Sequence, residues 1–453
     1  MKKEIQIHKG KSIILGSINE FLSQNHFQFF KQLATHGDIV KSRIGISNFI
    51  FMFKPEYIKH VLQGNYKNYI KDFYYKDLTL AVGNGLVTSE GKLWKQQRKL
   101  IQPAFHKKNI DNFSNIIKEE VLYTINQWSS LDNPRINLTN EMKALTMSIV
   151  SRCLFSSDIR KDSKYLGDAI GICLDYLNMR METIFRIPGK PIFPTTNYKK
   201  FKSNYKIIQK ALINIIETKR KNLNEPEDLL DMLIIAQDED SGKGMSNVQL
   251  VDEIMTLFLA GHETTATTLT WTYFLLNKFP EINKKFQNKL SKIPEANKIT
   301  MEEILNCSYT DLLTKEVMRF YPVVWAVGRE AVIDDNIEGY KIPKGVAICL
   351  PILYMHYHPD YWDNPELFNP DRFIDINVEK DLKWVYMPFG EGPRKCIGNN
   401  FAQLETQIIT TLISKTYKLV IEDQDQITIH NGVTSKPNKD IFARIESNGD
   451  SDL

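Results

Sequence analysis

Cysteine pairs are missing from this chain. Its five cysteines (Cys153, Cys173, Cys307, Cys349 and Cys396) are scattered singly over 453 residues, with no Cys-x-x-Cys. That spacing argues against a disulfide framework, a zinc ribbon or an iron–sulfur cluster, and for a reducing compartment. Long apolar runs are lacking too. Near the N-terminus, Ile13-Ile14-Leu15 is too short for a signal core or a spanning helix. The expectation is a cytoplasmic protein with no membrane span. Neither charge sign dominates: the formal net charge of +4 is too small to suggest nucleic acid. An electrostatic partner would have to read a local patch. What remains, 42% apolar and 25% charged residues, is ordinary for a globular protein. A chain of this length suits two or three domains, or one large α-rich enzyme.

The most informative stretch runs Phe389-Gly390-Glu391-Gly392-Pro393-Arg394-Lys395-Cys396-Ile397-Gly398-Asn399-Asn400-Phe401-Ala402. From Ala402 a helical apolar pattern begins, so Cys396 sits on a loop feeding a helix N-terminus. Free N–H groups and the positive dipole end there favour an anion, which predicts a thiol that ionises easily. Gly390, Gly392 and Gly398 remove side chains, so a flat, bulky partner could lie against the backbone. A single thiolate beneath a large cofactor is the chemistry of haem-thiolate iron. A buried cysteine in a glycine-rich turn is the plainer alternative for a lone cysteine.

The same segment resembles the haem-ligand loop of the cytochrome P450 family, Phe-Gly-x-Gly-x-Arg-x-Cys-x-Gly, at every fixed position, including Phe389, Arg394, Cys396 and Gly398. With no Cys-x-x-Cys-His, the implied haem b would be held non-covalently. A second match lies in a predicted helix that starts after the N-cap Ser246 and runs over 248–277. Into its apolar core come Ala260-Gly261-His262-Glu263-Thr264-Thr265, against local propensity. This resembles the family's oxygen-activation motif, Ala-Gly-x-(Asp/Glu)-Thr-Thr. The resemblance implies that Thr264 hydrogen-bonds activated oxygen and that Glu263 relays protons, with Gly261 and Thr264 loosening the helix. Ala260 would border the cofactor. His262 has no matching role and reads as a filler facing away.

Trp94 and Arg98 stand one helical turn apart and resemble the family's Trp-x-x-x-Arg, which holds a haem propionate. Arg329 and Arg394 match further propionate ligands. Glu316 and Arg319, with Arg372 of Asn369-Pro370-Asp371-Arg372-Phe373, resemble the family's buried Glu-x-x-Arg and Pro-(Glu/Asp)-Arg-Phe pair. The implied triad is structural, fixing the loop that presents Cys396. His356 also fits a family position, with His358 as a competing register.

Elsewhere, residues 17–34 predict an amphipathic first helix, 38–45 and 48–53 two strands, and Pro55 a helix start. Residues 66–93 read as irregular; the aromatic run from Phe73 to Leu80 could be packing or a substrate wall, and the resemblance implies the wall, joined by residues 174–185. Residues 110–225 read as mostly helical without repeats; 186–194 break the pattern as an extended loop, which the resemblance implies is a lid, and 223–226 suggest a linker. Strands are expected near 331–333, 345–350, 417–421 and 441–445. The fold implied is mainly α with a small β region, one domain over 1–453, with flexible ends at about 1–15 and 448–453. Haem would lie between the long helix and the Cys loop.

The function implied is a monooxygenase that inserts one atom of O2 into an apolar substrate: a fatty acid, terpenoid, carotenoid or steroid-like molecule. Electrons would come from NAD(P)H through a separate reductase and a ferredoxin or flavodoxin-type donor. The protein would be a monomer, and Lys395 is a candidate for steering an acidic donor. Alternatives are a peroxide-driven or rearranging haem-thiolate enzyme, against which Glu263-Thr264 argues, and a non-catalytic haem or ligand carrier.

Overall fold

Asn247–Lys278 forms one unbroken helix of 32 residues, started by the Ser246 side chain, which accepts a hydrogen bond from the Gln249 N–H. Apolar side chains cover nearly its whole circumference, so it must be enclosed on all sides. Helices Leu138–Phe155, Ser308–Phe320 and Asn399–Thr416 enclose it. The computed structural model describes residues 3–23, 25–156, 159–182, 191, 195–222, 226–238, 242–375 and 377–448.

The threonines of the central helix are accommodated by bonds within it. The hydroxyls of Thr256, Thr264, Thr268, Thr270 and Thr272 each donate to the carbonyl four residues earlier, at 2.7–3.0 Å. Gly261 has a packing reason: a Cβ there would lie 3.0 Å from Val150 on the neighbouring helix.

The β region is small. Its main sheet has six strands in the order Gln6–His8, Ile39–Ile44, Ser47–Met52, Ala347–Leu350, Val327–Ala331, Tyr69–Ile70. Its interior faces build a second apolar core with helix His26–Ala34. A three-stranded sheet joins Tyr417–Ile421, Phe442–Ser447 and Arg135–Asn137. Two hairpins complete it, Asp335–Ile337 with Tyr340–Ile342 and Ile429–Asn431 with Ser435–Pro437.

Several sequence expectations change. The first helix is two, Ile18–Leu22 and His26–Ala34, because the Asn25 side chain caps a new start by accepting from the Gln28 N–H. The irregular stretch contains a helix, Tyr75–Val82, ended at Gly83. The strand expected at 331–333 lies earlier, over Val327–Ala331. Gln6–His8, within the expected loose end, pairs in parallel with the next strand. Asn448 is tied to Ser414 and Thr416 by hydrogen bonds. The proposed lid and linker fall mostly on residues 183–190, 192–194 and 223–225, outside the described residues.

Glu316, Arg319 and Arg372 meet in the interior. Arg319 donates to both Glu316 oxygens at 2.7 and 2.8 Å, and Arg372 Nε lies 3.1 Å from Oε2. The Asn369 N–H adds a bond of 2.8 Å to the same carboxylate. Arg319 also donates to the carbonyls of His356 and Pro365, both at 2.9 Å. His356 then accepts from the Met387 N–H at 2.9 Å, while its Nδ1 faces the Arg319 carbonyl at 3.2 Å. Burial and the Arg319 charge lower its pKa to about 3, so it is neutral with the proton on Nδ1. Met387 leads directly into the cysteine loop.

Replacing Glu316 by Gln should therefore cost about 3–5 kcal/mol, because Arg319 stays buried without its counter-charge. Urea unfolding measures it, and a loss below about 1 kcal/mol, the range of an exposed pair, would contradict this account.

Candidate active site

The cysteine loop is shaped by its backbone. Gly390 (φ 66°) and Gly392 (φ 75°) lie in the left-handed region that favours glycine. A Cβ on Gly392 would also fall 2.2 Å from the Leu62 carbonyl oxygen, in the π-helical turn His60–Gly64. Gly392 is thus required by packing against Leu62, a contact for which the sequence held no sign. The Cys396 N–H donates to the Phe389 carbonyl at 2.9 Å, and Gly398 caps helix Asn399–Thr416.

The sulfur of Cys396 borders an internal cavity of about 650 Å³, within the usual range for small-molecule sites. Its exposed face looks into that cavity, not into bulk solvent. Burial raises the thiol pKa, while the Gly398 N–H, Arg98 and Lys395 pull it down. Desolvation outweighs them, so the protein alone does not yield the easily ionised thiol expected from the sequence.

Ala260, Glu263 and Thr264 of the central helix line the same cavity, as do Trp94, Arg98, Arg329, Phe389, Arg394 and Gly398. The Thr264 hydroxyl donates to Ala260 at 2.7 Å, and Glu263 accepts a long bond of 3.3 Å from Thr434 at the hairpin tip. His262 is absent from the lining. It is buried toward helix Leu138–Phe155, where its carbonyl accepts from Thr146. Of the expected wall, Tyr74, Tyr75, Leu78 and Leu177 reach the cavity. Residues 183–185 lie outside the described residues.

One flank concentrates positive charge. Trp94 and Arg98 project from helix Gly91–Ile101, and the Arg394 guanidinium lies 4.0 Å from the centre of the Trp94 ring. Arg98 donates to the Lys395 carbonyl at 2.9 Å, and Arg394 to Ser89 at 2.8 Å and to Glu90. Two residues here escaped the sequence reading. Lys71 is buried, donates to the Ser89 carbonyl at 2.9 Å, and has its pKa lowered to about 7 by burial and by Arg394. Glu90 pairs with Arg394 and lies 4.0 Å from Lys71. The sequence held no signal for Lys71, which follows the short strand Tyr69–Ile70 inside a stretch that reads as irregular. Glu90 had none beyond preceding a helix.

These residues fit haem. The Cys396 sulfur opens into the cavity that Ala260, Glu263 and Thr264 also line. Arg98, Arg329, Arg394 and Lys71 exceed the one carboxylate, Glu90, that forms ion pairs with any of them among the described residues. The Trp94 indole N–H finds no acceptor among those residues. Buried cations in surplus, with a free donor beside them, suit a planar group carrying carboxylates.

The sequence matches the family model described as "Cytochrome P450" over residues 10–443. Among curated proteins, it is 28% identical to a cyclooctat-9-en-7-ol 5-monooxygenase of Streptomyces melanosporofaciens, covering 86% of this chain and 84% of that protein. It is 27% identical to a pentalenene oxygenase of Streptomyces avermitilis, covering 88% of each. The fold superposes on the crystal structure of a cytochrome P450DA heme domain with a TM-score of 0.88, at 21% identity over 99% of this chain and 98% of that one.

The two loop glycines separate strain from clash. Gly390→Ala has free space around its Cβ, so it should cost about 1–2 kcal/mol for the left-handed backbone alone. Gly392→Ala should cost more and reduce haem retention, because the loop must shift. Equal losses of stability in thermal unfolding would refute the contact with Leu62.

Proposed function

This chain belongs to the cytochrome P450 family of haem-thiolate monooxygenases, and we propose that it inserts one atom of O2 into an apolar organic substrate, with Cys396 the residue that would ligate the iron of haem b. The observation that carries the proposal is one cavity holding the Cys396 sulfur, the Glu263–Thr264 pair and a cationic flank. Haem, when bound, supplies oxygen activation, and a thiolate ligand favours O–O cleavage.

The remaining work belongs to this chain. Trp94, Arg98, Arg329 and Arg394 would hold the carboxylates of the cofactor by charge-assisted bonds. Thr264 holds a hydroxyl at the cavity surface, and Glu263 moves a proton toward it from the Thr434 side. Glu316, Arg319 and Arg372 keep the loop of Cys396 in register. Tyr74, Leu78, Leu86 and Leu257 give the cavity an apolar wall that excludes water and accepts hydrocarbon. The names of the two Streptomyces relatives support a bulky hydrocarbon skeleton, such as a terpenoid.

Electrons come from NAD(P)H through a reductase and a small ferredoxin or flavodoxin-type donor. The surface over the cysteine loop carries Lys380, Lys383 and Lys395 beside Glu379 and Glu391. Lys395 already bonds Glu391 at 2.6 Å, so its pull on a partner is shared. Five free cysteines support work in a reducing compartment, the cytoplasm. Among the described residues no helix is long and apolar enough to cross a membrane.

The reduced protein treated with carbon monoxide should show the thiolate-type Soret band, and Cys396→Ser should abolish it; its absence from the native protein would falsify the proposal. Thr264→Ala should keep that band but lower product formed per reductant consumed by roughly 100-fold, the lower end of what a positioned proton donor contributes. Product yield unchanged in that variant would remove Thr264 from the mechanism. Lys395→Glu should slow reduction by about twofold or more at low salt and converge with the native rate at high salt. Equal rates at low salt would remove that steering role.

A further inference from the structure

Part of the cavity runs along the six-stranded sheet, where Ile44, Phe49, Phe51 and Cys349 form an apolar floor. One carboxyl faces this floor. Asp72 follows strand Tyr69–Ile70, is 5% exposed, and lines the cavity beside Gly328 and Cys349, which pair across the sheet. Its Oδ1 accepts from the Tyr74 N–H at 3.0 Å. No donor among the described residues reaches Oδ2. Arg329 is near enough to favour the carboxylate but forms no ion pair with it, and burial still raises its pKa to about 6. A carboxyl group left half-satisfied in an apolar wall is costly unless something else bonds it.

The neighbouring backbone is cleared for this group. A Cβ on Gly328 would fall 1.9 Å from Asp72 Oδ2, so any side chain there would displace the carboxyl. The surroundings also select the kind of partner. Arg329 bears on Asp72 as a positive charge and Glu330 opposes it, so no strong field calls for a cation, and an ammonium group would have to leave water to enter an apolar cavity. A neutral O–H donor meets no such penalty and supplies the missing bond. Small polar groups in apolar pockets orient the ligand and reject analogues that lack the matching group.

We propose that Asp72 is a specificity-determining residue that accepts a hydrogen bond from a hydroxyl on the substrate. The substrate class is then an apolar skeleton carrying an alcohol remote from the carbon to be oxidised. This inference rests on the monooxygenase reading above, and it narrows that reading to alcohols.

The test uses the full chain reconstituted with haem b. Calorimetric titration compares geraniol with myrcene, and 1-octanol with octane. In the native protein the alcohol of each pair should bind about tenfold tighter or better, the range of a buried hydrogen bond. Asp72→Leu should abolish the preference, and Asp72→Asn should keep much of it through its amide oxygen. Gly328→Ala should weaken it with the acid still present. Equal affinities in the native protein, or a preference that survives both Asp72→Leu and Gly328→Ala, would overturn the role of Asp72. The carbon monoxide spectrum of the same samples keeps the two readings apart. Loss of the thiolate band from the native protein overturns the haem assignment, while calorimetry still reads the preference.

Discussion

The buried carboxylate of Glu316 between two guanidinium groups is the constraint on which the site depends. Both Glu316 and Arg319 are fully enclosed, and the Arg319 head is packed near the rings of Phe320, Tyr357 and Trp362. Removing such charges from water is expensive, and stability alone does not explain keeping them. What the cluster does is connect. Arg319 fixes His356, His356 fixes the Met387 N–H, and the chain then turns into Phe389, whose carbonyl holds the Cys396 N–H. The sulfur is set by a line of directional bonds, where apolar packing alone would leave room for slippage.

A second constraint is electrostatic. Buried cations crowd the flank of the cavity, and burial, with Arg394 close by, holds the Lys71 pKa down to about 7 in spite of Glu90. The protein therefore carries strain in its field that two carboxylates would relieve. The sulfur shows the reverse side of the same burial: enclosure holds its proton on until something replaces the lost solvation. Cationic flank and thiol are complementary to different parts of one bound group.

Most of the fold class was legible from the sequence because its motifs are local. The central helix is announced by Ser246 and by an apolar pattern that closes on itself, and the cysteine loop by its glycines. Contacts between distant segments were not legible. Nothing near Gly392 names Leu62, and nothing near Asp72 names Gly328; only the folded chain brings them together. The first helix was overrun because apolar spacing continues through Asn25, and a single capping bond outweighs that pattern. The thiol was misjudged for a related reason. Helix-end arguments count dipoles, but depth of burial is a property of the tertiary structure.

The seat of Gly392 on the Leu62 carbonyl has a consequence for modularity. The haem-ligand signature looks portable, a short peptide ready to be grafted onto another helical scaffold. Here its shape is moulded on one side by a π-helical turn from the opposite end of the chain. A graft of the signature alone would arrive without its mould, so the transferable unit is the peptide together with the His60–Gly64 turn.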